Sequence, residues 1–400
     1  MITTAEATQR ILAAVQPLGS ETVSMENGIG RILQESVNAE RDQPPFDRVM
    51  MDGIAIAHAE FATGQRTFEI QAMQAAGDEA LQLDAGKAIE IMTGASLPIG
   101  ADCIIPIERV TINEAGAHVE ANYATEVNQF IHPRGSDHKK DTELLKPGTR
   151  VTPMDIAIIA SCGLPEVTVA KQPAISVIST GNELVAAGEP IEAHQVRLSN
   201  GPAVIAMLES HGYTDSAHEH IIDEPALLRD KLTAHLSKSD VLILSGGVSM
   251  GKADYVPEVL SDLGVTVNFH KISQRPGKPM WFGMGPDAQA VFALPGNPVS
   301  TLVCCRQYVI PALHHMSGMN AAAPQFASLT QDISFNPPLT NFLPVRLLSN
   351  AAGQVLAMPV HTNTSGDFAS LSGTDGYVEL AHEQTEFTSG TTVPLHRWRQ

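Results

Sequence analysis

Cysteine, aromatic side chains and positive charge are all scarce in this sequence of 400 residues. Its four cysteines, Cys103, Cys162, Cys304 and Cys305, show no Cys-x-x-Cys spacing, and two are adjacent. That pattern argues against a zinc site and against a disulfide framework, and predicts reduced, mostly buried thiols. Lys and Arg number 25 against 44 Asp and Glu, giving a net charge of −19. Such a surface repels nucleic acid and anionic membrane faces unless a local basic cluster reverses the field. No stretch approaches the ~18 apolar residues of a membrane span. The opening MITTAEATQRILAAV has neither the basic region nor the apolar region of an export signal. The expectation is a cytoplasmic protein with no nucleic-acid or membrane partner.

What the chain has is length and punctuation. It is longer than one hydrophobic core usually serves, which predicts roughly two to four domains. A hydrophobic content of 43% with 31 Gly and 26 Pro describes a globular chain with many turns rather than a disordered one. Helical spacing of Ile11, Leu12 and Val15, with Thr3 or Thr4 as cap, predicts an amphipathic helix over 4–17. From about Gly53 to Val127, short alternating runs (TFEIQAM, AIEIMTG, CIIPIE, HVEA) predict an inserted β-rich module. The segment MDIAIIASCG reads as a buried helix followed by a strand, PEVTVA. From Ala174 onward, strand and helix alternate up to a helix starting near Pro298, the pattern of a doubly wound α/β sheet. Beyond the Ala-Pro stretch at Ala321–Pro324, short strand-like runs predict a small terminal β-domain.

The loops that leave the predicted strands carry the chemistry. DVLILSGG runs into GVSMGKADY, where Gly246, Gly251 and Lys252 have the spacing of a phosphate-binding loop. Ala253 then stands where such a loop needs a Ser or Thr for magnesium, so nucleotide hydrolysis of that type is not indicated. Glycines such as Gly246 and Gly247 still let backbone N–H groups approach an anion, and Ser249 adds a hydroxyl. Asp254 is either a helix cap or a carboxylate directed into the crevice. KISQRPGKPMWFG gathers Lys271, Arg275 and Lys278 in one turn stiffened by Pro276, Gly277 and Pro279. This is either a solvated basic turn or a rigid cation set for a compact oxyanion. ISTGNEL (Ser179, Thr180, Gly181, Glu183) and ALPGNPVST (Pro295, Gly296, Asn297) complete a crevice suited to phosphate or nucleotide, although Asn297 could simply cap a helix. PPFDRVMMDG contributes Asp47 and Asp52, and IMTGASLPIGAD contributes Thr93 and Gly94. Together with Asp137 and Asp223 these acids are either turn formers or, if grouped in space, ligands for a hard cation such as magnesium.

Taken in order, PPFDRVMMDGIAI, IMTGASLPIGADCIIPIE, RGSDHKKDTELLKPGTRV, ISTGNEL, SGGVSMGKADY, RPGKP and LPGNPVS resemble the molybdopterin molybdotransferase family, bacterial MoeA and the E domain of gephyrin and its plant counterparts. The likeness covers nearly the whole chain. It implies an α/β multidomain fold: a split linking domain (1–45 and 141–172), an inserted β-rich domain (46–140), a doubly wound molybdopterin-binding α/β domain (173–320) and a C-terminal β-barrel (325–400). It also implies a homodimer with its cleft between subunits. The activity implied is transfer of molybdate to adenylylated molybdopterin with release of AMP, dependent on Mg2+. Molybdopterin adenylyltransferase and molybdoenzyme maturation factors would be partners.

Carried over by position, Asp52, Thr93 and Asp137 match the family's Met-Asp-Gly, Met-Thr-Gly-Ala and Gly-x-Asp turns. Glu183, Asp223 and Asp254 match acids of its α/β domain, and Asp254 with Asp223 would hold magnesium or polarise the attacking water. Ser249, Lys278 and Pro279 match the molybdate loop, Lys271 and Arg275 its flanking bases, and Arg346 and Ser365 the groups that complete the oxyanion site. The chain departs from the family pattern at Arg48, Val49, Asn182, Leu198 and Asp367. Those changes keep open a pterin-binding paralogue with altered catalysis, and the shared α/β unit keeps open a molybdopterin adenylyltransferase.

Overall fold

The run Ile175–Thr180 is buried at every position, its three hydroxyl side chains included, as a strand covered on both faces requires. In the computed structural model, which describes residues 1–247 and 255–399, this strand lies second in a six-stranded sheet. The order runs Ser216–Ile221, Ile175–Thr180, Val241–Ser245, Ala290–Leu294, Trp281–Met284 and Thr266–His270. The first four strands are parallel and the last two are antiparallel additions. Alternate residues feed two cores. Val177, Ile243 and Phe292 pack with Val204, Leu208 and Ile11 on one face, and Ile178, Leu242, Leu244 and Val291 pack with Leu228, Leu232 and Leu260 on the other. Helices thus cover both faces, confirming the doubly wound pattern with an antiparallel edge added.

The opening helix runs Thr4–Ala14 and is capped by Thr3, whose hydroxyl accepts from Glu6 N at 3.1 Å while Glu6 Oε2 accepts from Thr3 N at 2.8 Å. It stops short of the expected residue 17 because Val15 is extended and Pro17 bars helical conformation in the residue before it.

The terminal β-domain is a closed barrel. Thr340–Ser349, Val355–Pro359, Gln325–Leu329, Thr392–Arg397 and Gly376–Leu380 pair in succession, and the last returns to the first. Closure leaves no unpaired edge among these strands. Gln274–Arg275 adds to the barrel beside Thr340 and Asn341, so the basic turn of the α/β segment is held by the barrel wall.

These elements belong to one of two compact units, Met1–Gln34 with Pro147–Thr152 and Val167–Gln400; the other is Glu35–Lys146 with Pro153–Glu166. The second unit has its own six-stranded sheet, ordered Cys103–Pro106, Gly53–Ile56, Lys87–Ile91, Thr67–Gln74, Gly116–Val119 and Val110–Asn113, with an apolar core on each face. The expectation of a buried helix at 154–163 is overturned. Pro153–Ser161 is helical, but only Ile159 is buried and Met154 is exposed. Hydrophobicity records what a helix could bury, not what the chain places against it. All four cysteines are buried and free, as expected, and no described helix is long and apolar enough to cross a membrane.

Candidate functional site

The strand order places a topological switch between Ile175–Thr180 and Val241–Ser245, where successive connections leave to opposite sides. Two adjoining cavities open at the carboxyl ends of these strands. The first, of about 700 Å³, takes Ser179, Thr180, Glu183, Gly246, Pro295 and Gly296 from the strand-end loops. The second, of about 460 Å³, takes Arg275, Lys278 and Ser365. Pro279, Pro295 and Asn297 line both. Three loops with nothing in common but their position after a strand, and the turn that leads into Trp281–Met284, therefore meet in one crevice.

Local chemistry explains the walls of the first cavity. Thr180 is only 3% exposed, and its Oγ1 has no hydrogen-bond partner among the described residues. A buried hydroxyl left unpaired is costly unless a ligand supplies a partner. Gly246 adopts φ +99°, and a Cβ there would meet Thr180 O at 2.5 Å, so the position requires glycine. Asn200, which begins helix Asn200–Ser210, donates from Nδ2 to Ser245 Oγ at 2.9 Å and to Gly296 O at 2.7 Å. It ties two strand ends together and lines the cavity. The sequence marks Asn200 only as a helix start; its amide between two small-residue loops is the signal that was there to be read.

The second cavity is built by the barrel and the basic turn. Asn297 was open to reading as a helix cap, but its side chain makes no capping bond. Instead, Nδ2 donates to Ser365 Oγ at 2.7 Å, and Ser365 O accepts from Val299 N at 3.0 Å. Asp367 is less an intruding charge than the organiser of this loop. Its Oδ2 accepts from Ser370 Oγ at 2.6 Å, Asn363 N at 3.1 Å and Asn363 Nδ2 at 3.2 Å. The Ser370 hydroxyl first, then the Asn363 amide, hold its carboxyl below the ordinary carboxylate range.

Other expected site residues lie elsewhere. Arg346 is exposed beside Gly373 and lines neither cavity; Lys271 also lines neither. Gly181 and Gly247 sit in the loops behind the first cavity, and Asp223 N donates to Asn182 Oδ1 at 3.0 Å. Ser249 and Asp254, with Lys252, fall outside the described residues.

The second unit holds its own cluster. Asp52 Oδ1 accepts from Thr93 N at 2.7 Å and Thr93 Oγ1 at 2.8 Å. The Thr93 amide, then its hydroxyl, lower the Asp52 carboxyl below its usual value. Gly94 follows at φ +88°. Asp137 Oδ1 lies 3.0 Å from His132 Nε2, and Arg48 Nη2 lies 3.0 Å from His132 Nδ1. Arg48 thus reaches Asp137 through an imidazole, and Val49 is core, only 1% exposed. Among the described residues, no group of three or more His, Cys, Asp or Glu could hold a metal ion.

Comparison with known proteins bears on the same segments. Residues 2–163 match the model for the MoeA N-terminal region (domain I and II), 176–315 a probable molybdopterin binding domain, and 327–398 the MoeA C-terminal region (domain IV). The chain is 38% identical to a molybdopterin molybdenumtransferase of Synechocystis sp., covering 100% of both. It is 30% identical to one of Staphylococcus aureus, covering 98% of this chain and 94% of the other. Among solved structures it is similar to the molybdopterin biosynthesis MoeA protein from Pyrococcus horikoshii, with a TM-score of 0.82, 26% identity and 99% of each chain covered.

Proposed function

The chain belongs to the MoeA family, and from that premise we propose that it is a molybdopterin molybdotransferase: it takes adenylylated molybdopterin and molybdate, places the metal on the dithiolene sulfurs and releases AMP. The observation that carries this reading is the pair of adjoining cavities, one with Ser179, Thr180, Gly246 and Gly296 in its wall and the other with Arg275 and Lys278. A nucleotide-linked pterin needs backbone and hydroxyl donors at its phosphates, whereas a tetrahedral dianion needs fixed positive charge.

In this reading Thr180 Oγ1 gains from the ligand the partner it lacks among the described residues. Arg275 and Lys278 neutralise molybdate. Ser365 already accepts from Asn297, so its own hydroxyl hydrogen is free to orient the same anion. Glu183 and Asp223 stand beside the phosphates, with Ser249 and Asp254 completing the set from the segment that is not described. Arg346 takes no part. Asp52, Thr93 and Asp137 belong to the unit that, in a homodimer of four-domain subunits divided as the resemblance implies, faces the partner's crevice. The protein works in the cytoplasm and receives its substrate from molybdopterin adenylyltransferase.

Magnesium is the finer part of the proposal. The described residues do not by themselves form a site for it, since Asp223 would need Asp254. The dependence of turnover on added Mg2+ tests its role.

The test is incubation of the purified chain with adenylylated molybdopterin and Mg2+, with and without molybdate, measuring AMP and pterin-bound molybdenum. Molybdate-dependent AMP release with retained metal is the expected result. AMP release indifferent to molybdate would make the protein a hydrolase, and pterin binding without AMP would make it an altered paralogue; either overturns the proposal.

A further inference from the structure

Strand Ser216–Ile221 forms the outer edge of the α/β sheet and carries two imidazoles, His218 and His220. Two residues apart on a strand, they share a face, and both reach the neighbouring strand where it enters the crevice. His218 Nε2 lies 3.0 Å from Ser179 Oγ. His220 Nε2 donates to the Gly181 carbonyl at 2.8 Å. A Cβ on Gly201 would lie 2.0 Å from His218 Nε2, so the first turn of helix Asn200–Ser210 sits directly on that ring.

The Gly181 carbonyl accepts from His220 Nε2 and, at the longer distance of 3.5 Å, from Leu184 N, so the shorter bond from the outer strand is the stronger hold on the orientation of this peptide. Gly181 has φ +145°, a conformation that glycine tolerates and other residues rarely adopt, so nothing intrinsic to the residue fixes its carbonyl. The Gly181–Asn182 peptide is trans and planar, so holding its C=O against the outer strand turns the Asn182 N–H the opposite way. That N–H donates to no group among the described residues. From the far end of the turn, Asn182 Oδ1 accepts from Asp223 N. The residues flanking the peptide, Thr180 and Glu183, both line the first cavity.

We propose that His220, braced by His218 beside it, is a positioning residue that locks the Gly181–Asn182 peptide with its N–H available to a phosphate oxygen of the ligand in the first cavity. A peptide turned the other way would offer a carbonyl oxygen to an anion. The proposal rests on reading that cavity as the nucleotide-phosphate compartment. It adds an anchor contributed by a strand that does not line the cavity.

The experiment uses the full chain, with AMP as the probe for calorimetric binding and adenylylated molybdopterin with molybdate for turnover. His220→Phe keeps the ring volume but cannot donate, and His220→Gln keeps an N–H donor. Loss of one ligand hydrogen bond predicts AMP binding about tenfold weaker in His220→Phe. KM should rise in parallel while kcat at saturation stays near that of the parent. His220→Gln should return AMP affinity to within about threefold of the parent. A Phe variant that binds AMP like the parent, or a Gln variant as weak as the Phe variant, overturns the inference while leaving the reading of the cavity intact. A parent chain that binds no AMP overturns that reading and the inference with it.

Discussion

Gln274 donates from Nε2 to the carbonyl oxygen of Pro276 at 2.9 Å, so a buried side-chain amide holds the backbone of the turn that presents Lys278. The same amide accepts from the Tyr308 hydroxyl through Oε1, and both side chains are almost wholly buried. Gly277 closes over it, since a Cβ there would meet Cys304 Sγ at 2.4 Å and Gln274 Nε2 at 2.6 Å. The backbone of the turn that carries Lys278 is therefore held from beneath, by packing against the helical segment that carries Cys304 and Tyr308.

Gln274→Leu should separate that support from simple bulk. It keeps the volume but strands the Pro276 carbonyl and the Tyr308 hydroxyl, a cost of about 1–3 kcal/mol for each buried group left unpaired. Urea unfolding should show the loss, and the molybdate concentration for half-maximal AMP release should rise. An unchanged molybdate dependence would mean that the turn keeps its shape without the amide.

Thr180→Val should behave in the opposite sense. The hydroxyl has no partner to lose among the described residues, so its removal from a strand end leaves the thermal midpoint unchanged or raised. AMP affinity should nevertheless fall about tenfold if the hydroxyl meets a phosphate. Calorimetry on a fully folded Val variant that binds AMP as the parent does would remove Thr180 from the site.

Gly53→Ala tests the turn that carries Asp52. At φ +156° an added Cβ would lie 2.0 Å from Ile105 O and 2.9 Å from Ile105 C, backbone atoms that cannot swing aside. Gly53 also pairs with Ile91 and Pro106 in the sheet. The expected cost is roughly 3 kcal/mol or more, read as a lower urea midpoint, with an altered amide resonance for Thr93 where it donates to Asp52. A variant as stable as the parent would show that the sheet yields at this point.

Which features could be read from the sequence follows from how local they are. The strand ends at Thr180, Ser245 and Leu294 were legible because an apolar run breaks at Gly or Pro within a few residues. The bonds that assemble the crevice were not. Asn200 reaches Gly296, His220 reaches Gly181 and Asn297 reaches Ser365 only after the chain has folded. The placement of Arg346 was not legible either: Val345 fills the barrel core, so its neighbour faces outward, and one residue of strand register decides the face. The exposure of Pro153–Ser161 was hidden because an apolar pattern does not name its partner.

The final prediction concerns pH. His211 and His314 lie buried with ring centroids 5.8 Å apart. His211 Nε2 donates to the Trp398 carbonyl at 2.9 Å, and among the described residues neither His211 Nδ1 nor His314 Nε2 has a partner. Burial, reinforced by Arg150 and Arg306, pushes His211 down from 6.5 to about 4 and His314 to about 3. Tyr213 packs on the same ring and stays protonated, its hydroxyl raised by burial to about 12. Both imidazoles are neutral in the native state. As pH falls below 6.5 the unfolded chain takes up protons that the folded chain refuses, so stability is complete above that value and is lost progressively down to the folded pKa values. For His211 alone the loss is on the order of 3 kcal/mol, at 1.36 kcal/mol per pH unit. Urea midpoints measured at intervals from pH 7.5 to 4.5 should therefore fall, and His314→Phe, which removes one titrating ring and its unpaired nitrogen, should flatten the slope. A variant whose midpoint tracks the parent at every pH would assign the acid sensitivity to other groups.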